Sequence, residues 1–237
     1  PIILPALIKL NWKDYFAAAA MAGVCCVIGE GAPSKDANLQ LDAQGKIVNF
    51  AMLKEMYKAF HRYDRGYGQI VLQCNLEDLN MNLAEYAIIE CGFTAIEFKF
   101  GQAAKGTQPA VRLGSLSEAL AKKKMGLIVQ PDPEDAEIVK LYEKHACPEF
   151  WSYNRLPMWT EETLQQRITA LRKLGMKNVY FKMAGFDCRD IEEVLRLASV
   201  LEVDLVTLDG AGGGSGYSPS KMMNEWGLPA VCIESVL

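Results

Sequence analysis

The chain has 237 residues, half of them apolar and 23% charged, which is enough apolar material for a large core and excludes a disordered chain or a disulfide-stapled mini-protein. Its 25 Lys and Arg face 29 Asp and Glu, a net charge of −4, so nucleic acid is not an expected partner: neutralising phosphates takes a cationic face. No apolar run reaches the roughly 18–20 residues of a membrane span, so no membrane partner is expected either.

In chain order, Ile2–Leu4 reads as a strand, since PIILPALIKL lacks the basic flank of a signal peptide. An Ala-rich helix follows at Trp12–Ala22, then a strand at Val24–Ile28. Leu39–Phe50 reads as a hairpin turning near Ala43–Gly45. The next helix spans Met52–Tyr63, where Leu53, Met56, Tyr57 and Phe60 recur at helical spacing. After a strand at Gln69–Cys74, a helix over Leu79–Cys91 repeats apolar residues at Met81, Ala84, Ala87, Ile88 and Cys91. Strands are expected at Ala95–Phe100, Gly126–Gln130 and Glu149–Tyr153. A helix over Thr160–Leu174 has a partial cap from Thr160 and Thr163 and stops at Gly175. A strand at Asn178–Met183 leads to a helix over Asp190–Leu201 with an Asp190 cap, then to a strand at Asp204–Leu208.

Most of these strands are near-continuous apolar runs, as in parallel strands buried on both faces. With no Gly/Ser linker, the alternation predicts one α/β domain over residues 1–237. Two architectures fit: an open doubly wound sheet and a TIM (β/α)8-type barrel. The barrel is preferred on three grounds. No G-x-G-x-x-G follows the first strand. Glu30, Gln73, Lys99, Lys182 and Asp209 fall at strand C-terminal ends, where barrels build their sites. The hairpin suits an insertion in a βα loop.

Seven cysteines, Cys25, Cys26, Cys74, Cys91, Cys147, Cys188 and Cys232, form no C-x-x-C pair. They read as scattered reduced thiols of a cytoplasmic protein, with no metal site. The two histidines, His61 and His145, lie in charged stretches and read as solvated surface.

Four segments carry candidate chemistry. Asp209-Gly-Ala-Gly-Gly-Gly-Ser-Gly216 runs from a buried strand into glycines, which let backbone N–H groups approach a flat cofactor or an anion; the plain alternative is a flexible connection. In Glu97-Phe-Lys-Phe100, Glu97 and Lys99 share one strand face, and Lys99, Gln102 and Lys105 gather at its mouth, suited to a carboxylate or an electron-rich ring edge; the alternative is a structural Glu97–Lys99 pair. Lys182 interrupts an apolar strand end, where it would stabilise negative charge on a reduced flavin or an enolate, or else snorkel to the edge. Glu30, between two glycines, would bond a cofactor or a cation such as Lys99. Asn154 and Arg155 would line a pocket or simply pack.

Taken together, PIILPAL, IGEGAPSKD, IEFKFGQAAK, NVYFKMAG, LVTLDGAGGGSGYSP and NEWGLPA resemble the FMN-binding domain of the glutamate synthase family, most closely its stand-alone members. The resemblance covers nearly the whole chain, and FGQAAK followed by DGAGGGSG is its specific part. It implies a TIM barrel with FMN at its C-terminal face, about six of eight barrel strands being present and the last two expected beyond Leu237. It places the backbone of Pro5 and Ala6 near the flavin ring, with Glu30, Gly31 and Gln73 lining the site. Lys99 and Lys182 would flank the ring as its catalytic cations, Gln102 and Lys105 would meet the substrate carboxylate, and Gly210, Gly213 and Gly214 would let the loop approach the cofactor. The implied activity is FMN-dependent reduction of an imine or 2-oxo acid-derived substrate, as in 2-oxoglutarate to glutamate. Its partners would be a small-molecule substrate and a protein or NAD(P)H-linked electron donor, with homo-oligomers as a further expectation. By that resemblance, many members of the family carry a Gly-rich Ser-Gly-Arg-Phe-Gly stretch after the third strand; here Gln73-Cys-Asn-Leu-Glu-Asp78 stands instead. Two other readings stay open: a non-redox lyase or aldolase with Lys99 or Lys182 as Schiff-base nucleophile, and a structural module without cofactor.

Overall fold

A computed structural model describes residues 2–8, 11–100, 111–124, 127–147, 149–153, 160–185, 187–211, 225 and 227–237. In chain order the elements are β1 (Ile3–Leu4), α1 (Trp12–Ala22), β2 (Cys25–Ile28), β3 (Gln40–Leu41), β4 (Ile47–Asn49), α2 (Ala51–His61), β5 (Gln69–Cys74), α3 (Leu76–Asn80), α4 (Leu83–Tyr86) and β6 (Ala95–Lys99). They continue with β7 (Val111–Leu113), α5 (Leu116–Lys124), β8 (Ile128–Gln130), α6 (Ala136–Glu143), β9 (Phe150–Tyr153), α7 (Glu161–Leu174), β10 (Asn178–Ala184), α8 (Cys188–Val200), β11 (Leu205–Asp209) and α9 (Ala230–Glu234). The chain divides into two compact units.

The first unit comprises Pro1–Phe100, Met158–Met183 and Asp187–Asp209. Its centre is a six-stranded parallel sheet in the order β1-β2-β5-β6-β10-β11, curled as half of a TIM-type barrel and flanked by helices. Register fixes which residues become neighbours: Cys25 pairs with Gln69, Gln73 with Glu97, Glu97 with Tyr180, and Lys99 with Lys182.

Side chains alternate across each strand, so the sheet has two chemically different faces. Cys26, Ile28, Ile70, Leu72, Ile96, Phe98, Val179 and Phe181 form one core with Phe16 of α1, Leu53 and Phe60 of α2, and Leu164, Ile168 and Leu171 of α7. Phe181 meets Phe98 and Phe100 edge-on, with centroids 6.0 and 4.9 Å apart. Burying each such ring contributes about 2–3 kcal/mol. Opposite, a small cluster of Val27, Val71 and Ala95, joined by Ala6, Cys25 and Tyr180, forms the floor beneath the polar strand ends.

Local chemistry explains the boundaries. Gly23 ends α1 in the left-handed region, with φ 67°. The β3–β4 hairpin turns where the Asp42 carboxylate accepts N–H bonds from Gln44 and Lys46 at 2.9 and 2.8 Å. The helix expected over Leu79–Cys91 is instead α3, α4 and a π-helical turn at Ala87–Cys91; Asn82, at φ 58°, breaks the path. Thr160 and Thr163 form a full reciprocal capping box on α7, where only a partial cap was expected: threonine's hydroxyl replaces the usual Glu. Asp187, not Asp190, caps α8, accepting from Arg189 N at 2.7 Å.

The second unit comprises Gly101–Pro157, Ala184–Phe186 and Gly210–Leu237. The runs expected near Gly126 and Glu149 fall here, as β8 and β9 of a separate antiparallel sheet in the order β7-β9-β8. Leu113, Ala119, Val129 and Phe150 form its core, with Ile138 and Tyr142 packed against them. Among the described residues, no helix is long and apolar enough to cross a membrane.

Candidate functional site

The site grows from the C-terminal ends of β2, β5, β6, β10 and β11, all in the first unit. Because Phe98 and Phe181 face the helices, Glu97, Lys99, Tyr180 and Lys182 face the other side. The Lys99–Lys182 register sets two ammonium-bearing stems at one level on strands about 4.8 Å apart. Like charges so close repel, and the surrounding carboxylates offset that. Glu30 Oε1 accepts from Lys99 Nζ at 2.5 Å, with the Lys99 side chain almost wholly buried. Among the described residues, no ion pair or hydrogen bond holds the half-buried Lys182 ammonium; the Glu97 carboxylate attracts it at longer range.

Below the lysines lies a buried polar network. Glu97 is 3% exposed, a burial no carboxylate tolerates without partners. Its Oε1 accepts from Gln73 Nε2 at 2.5 Å and its Oε2 from Thr207 Oγ1 at 3.4 Å. Burial raises the Glu97 carboxyl above its usual range; the Gln73 bond, Lys182, the Thr207 bond and Lys99 pull it back. The other end of the Gln73 amide, Oε1, accepts the Glu30 N–H at 3.4 Å. Thr207, Glu97, Gln73, Glu30 and Lys99 thus form one chain of contacts across four strand ends.

The glycines around Glu30 have separate reasons. A Cβ on Gly29 would sit 2.8 Å from the Ala6 carbonyl oxygen, so glycine there admits the β1 exit segment against the end of β2. Gly31 has open space around it but sits at φ 68°, which side chains resist. Its N–H donates to Asp78 Oδ2 at 3.0 Å. That same oxygen accepts the Asn75 N–H at 3.1 Å, while Asn75 Oδ1 accepts the Asp78 N–H at 2.9 Å.

Lys99, Lys182, Glu30, Gly31, Gln73 and Ala6 therefore meet at one rim, with the exposed Pro5 one residue before Ala6. The anticipated Lys99–Glu30 pairing is present. A direct Glu97–Lys99 pair is not: Glu97 turns to Gln73 and Thr207, and Lys99 to Glu30. Gly210 follows β11 and packs against Ala230 within the second unit, where a Cβ would come 2.8 Å from Ala230 N. Gln102, Lys105, Asn154, Arg155, Gly213 and Gly214 lie outside the described residues. His61 stacks on Tyr57 at 4.1 Å and pairs with Asp64, away from this chemistry. Thr207 and Asp78 were missed. The Asn75-x-x-Asp78 spacing of a capping box was the available signal for Asp78; Thr207 had none, since its partner lies 110 residues away. Among the described residues, no group of His, Cys, Asp or Glu is placed to hold a metal ion.

Residues 152–234 match the family described as the conserved region in glutamate synthase. The match takes in β10 with Lys182, β11 and the glycine run after it. No curated protein matches the chain. Over those residues the chain is similar to the glutamate synthase family, and the motifs NVYFKMAG, LVTLDGAGGGSGYSP and NEWGLPA fall inside the matched stretch.

Proposed function

We propose that this glutamate synthase-like domain holds FMN at the rim of β2, β5, β6 and β10 and serves an oxidoreductase acting on an imine or 2-oxo acid-derived substrate. One observation carries the reading: Lys99 and Lys182 stand in register on adjacent strands, at the sheet end where barrel enzymes build their sites. The residues present fit the cofactor. Paired cations suit the negative charge that gathers on a flavin's edge during reduction, and the buried Gln73 amide braces Glu97 and the Glu30 N–H beside them.

When bound, FMN supplies the hydride chemistry. The chain's own groups bind and orient. Lys182 contributes an ammonium not committed to a carboxylate among the described residues. Glu30 holds Lys99 in one place. Glu97 fixes Gln73 and keeps net charge near the lysines low. Gln102 and Lys105 would meet the substrate carboxylate, and a protein or NAD(P)H-linked donor would supply electrons.

The test is to titrate FMN into the protein and follow the visible spectrum and flavin fluorescence. Bound flavin is expected, with Lys182→Met weakening binding about tenfold, about 1.4 kcal/mol. A spectrum identical to free FMN throughout would reject the proposal.

A further inference from the structure

We propose that Asp78 is the positioning residue of the rim: its Oδ2 ties the Gly31 N–H of the β2 loop to the Asn75 N–H of the β5 turn, and so aims the Glu30 carboxylate at Lys99. As a role at that rim the inference rests on the FMN reading, but its geometry does not need the cofactor. Glu30 is gripped on both sides. Its own N–H reaches Gln73 Oε1 at 3.4 Å, and the next N–H along the chain reaches Asp78 at 3.0 Å. Those two acceptors come from one short segment, Gln73–Asp78, at the end of β5 and the start of α3. Asp78 is 2% exposed, and a single oxygen serves two donors from loops more than forty residues apart. Gly31 sits at φ 68°, which glycine adopts without strain; Ser34 holds its carbonyl, and the Asp78 bond fixes the N–H side of the same turn. The charged or titratable groups acting on Asp78 are Glu30 on the β2 loop, Glu77 on α3 and the Cys74 thiol on β5. Burial and the two carboxylates raise the Asp78 carboxyl to about 6, while the Gly31 and Asn75 N–H bonds oppose that rise.

The test uses the full chain without cofactor. Lysines are acetylated with limiting acetic anhydride and each site is read by mass spectrometry, exposed Lys177 serving as internal reference. Asp78→Ala removes the acceptor; Lys99 labelling is expected to rise at least about fivefold relative to Lys177. Asp78→Asn keeps an oxygen where Oδ2 stood, and Lys99 should stay within about twofold of the parent. Lys99 labelling unchanged in Asp78→Ala, or raised equally in both variants, overturns the proposal. A second measurement keeps it testable should Asp78→Ala not fold. In the parent, the amide proton shifts of Gly31 and Asn75 should titrate together near pH 6 and stop titrating in Asp78→Asn. Independent titrations overturn it. Failure of FMN to bind would refute the cofactor reading while leaving these two readouts intact.

Discussion

At the scale of the residue, the rim shows how burial and hydrogen bonding compete. Asp78 accepts two N–H bonds, which favour its charged form, yet its loss of hydration is larger, and the carboxyl is pushed up to about 6 from an ordinary 3.8. The folded state therefore holds the proton more tightly than the unfolded chain. Stability from that protonation is present at low pH and is lost as pH rises from about 4 to about 6. Asparagine stays neutral and escapes the loss. The stability difference between Asp78→Asn and the parent should therefore move in the variant's favour by about 2 kcal/mol between about pH 4 and pH 7, read from urea midpoints. A difference flat with pH would show that Asp78 ionises normally. Gly29→Ala makes a steric claim instead. Its Cβ meets backbone rather than a flexible side chain, so about 1–3 kcal/mol of stability should be lost in chemical denaturation. An unchanged midpoint would mean that the Ala6 segment yields freely.

At the scale of the element, short polar signals set the boundaries and the two faces of the sheet set the energies. The Thr160–Thr163 box satisfies backbone donors of α7 reciprocally, and Thr160→Ala should cost about 1 kcal/mol. The helix packs through Leu164, Ile168 and Leu171, so a loss far below that would assign its stability wholly to the packed face. Phe181→Ala removes a fully buried ring that touches Phe98 and Phe100; about 3–5 kcal/mol should go, with thermal unfolding as readout. The helix boundaries near Asn82 and Asp187 differ from the periodic reading for one reason. Apolar spacing reports which face is buried, while a single αL residue or cap decides where the backbone turns. The helices α5 and α6 and the strand β7 were not anticipated. The Lys-rich α5 buries only Ala119, and the three-residue β7 exists through its pairing with β9.

At the scale of the whole molecule, each compact unit has a core of its own: a parallel half-barrel built on phenylalanines in one, and a small antiparallel sheet centred on Phe150 in the other. Phe150→Ala should lower amide exchange protection across β7, β8 and β9 and leave that of β5 and β6 near the parent's. An equal fall in both would mean that the two cores melt as one. The candidate chemistry stands on the first unit, where strands from five separate stretches of sequence bring cations, carboxylates and an amide to one edge.

All six strands of the half-barrel were legible as apolar runs, because a strand buried on both faces has little freedom in composition. So were the lysines and carboxylate that interrupt those runs, since a charge at a buried strand end is costly without a purpose. Which partner each charge takes was decided only in three dimensions. Register set Lys99 beside Lys182, loop geometry gave Lys99 to Glu30, and contacts spanning up to 110 residues gave Glu97 to Gln73 and Thr207. Alternation along a strand says which way a side chain faces, but its neighbours across the sheet are set by how the strands slide and pair, and no local pattern encodes that.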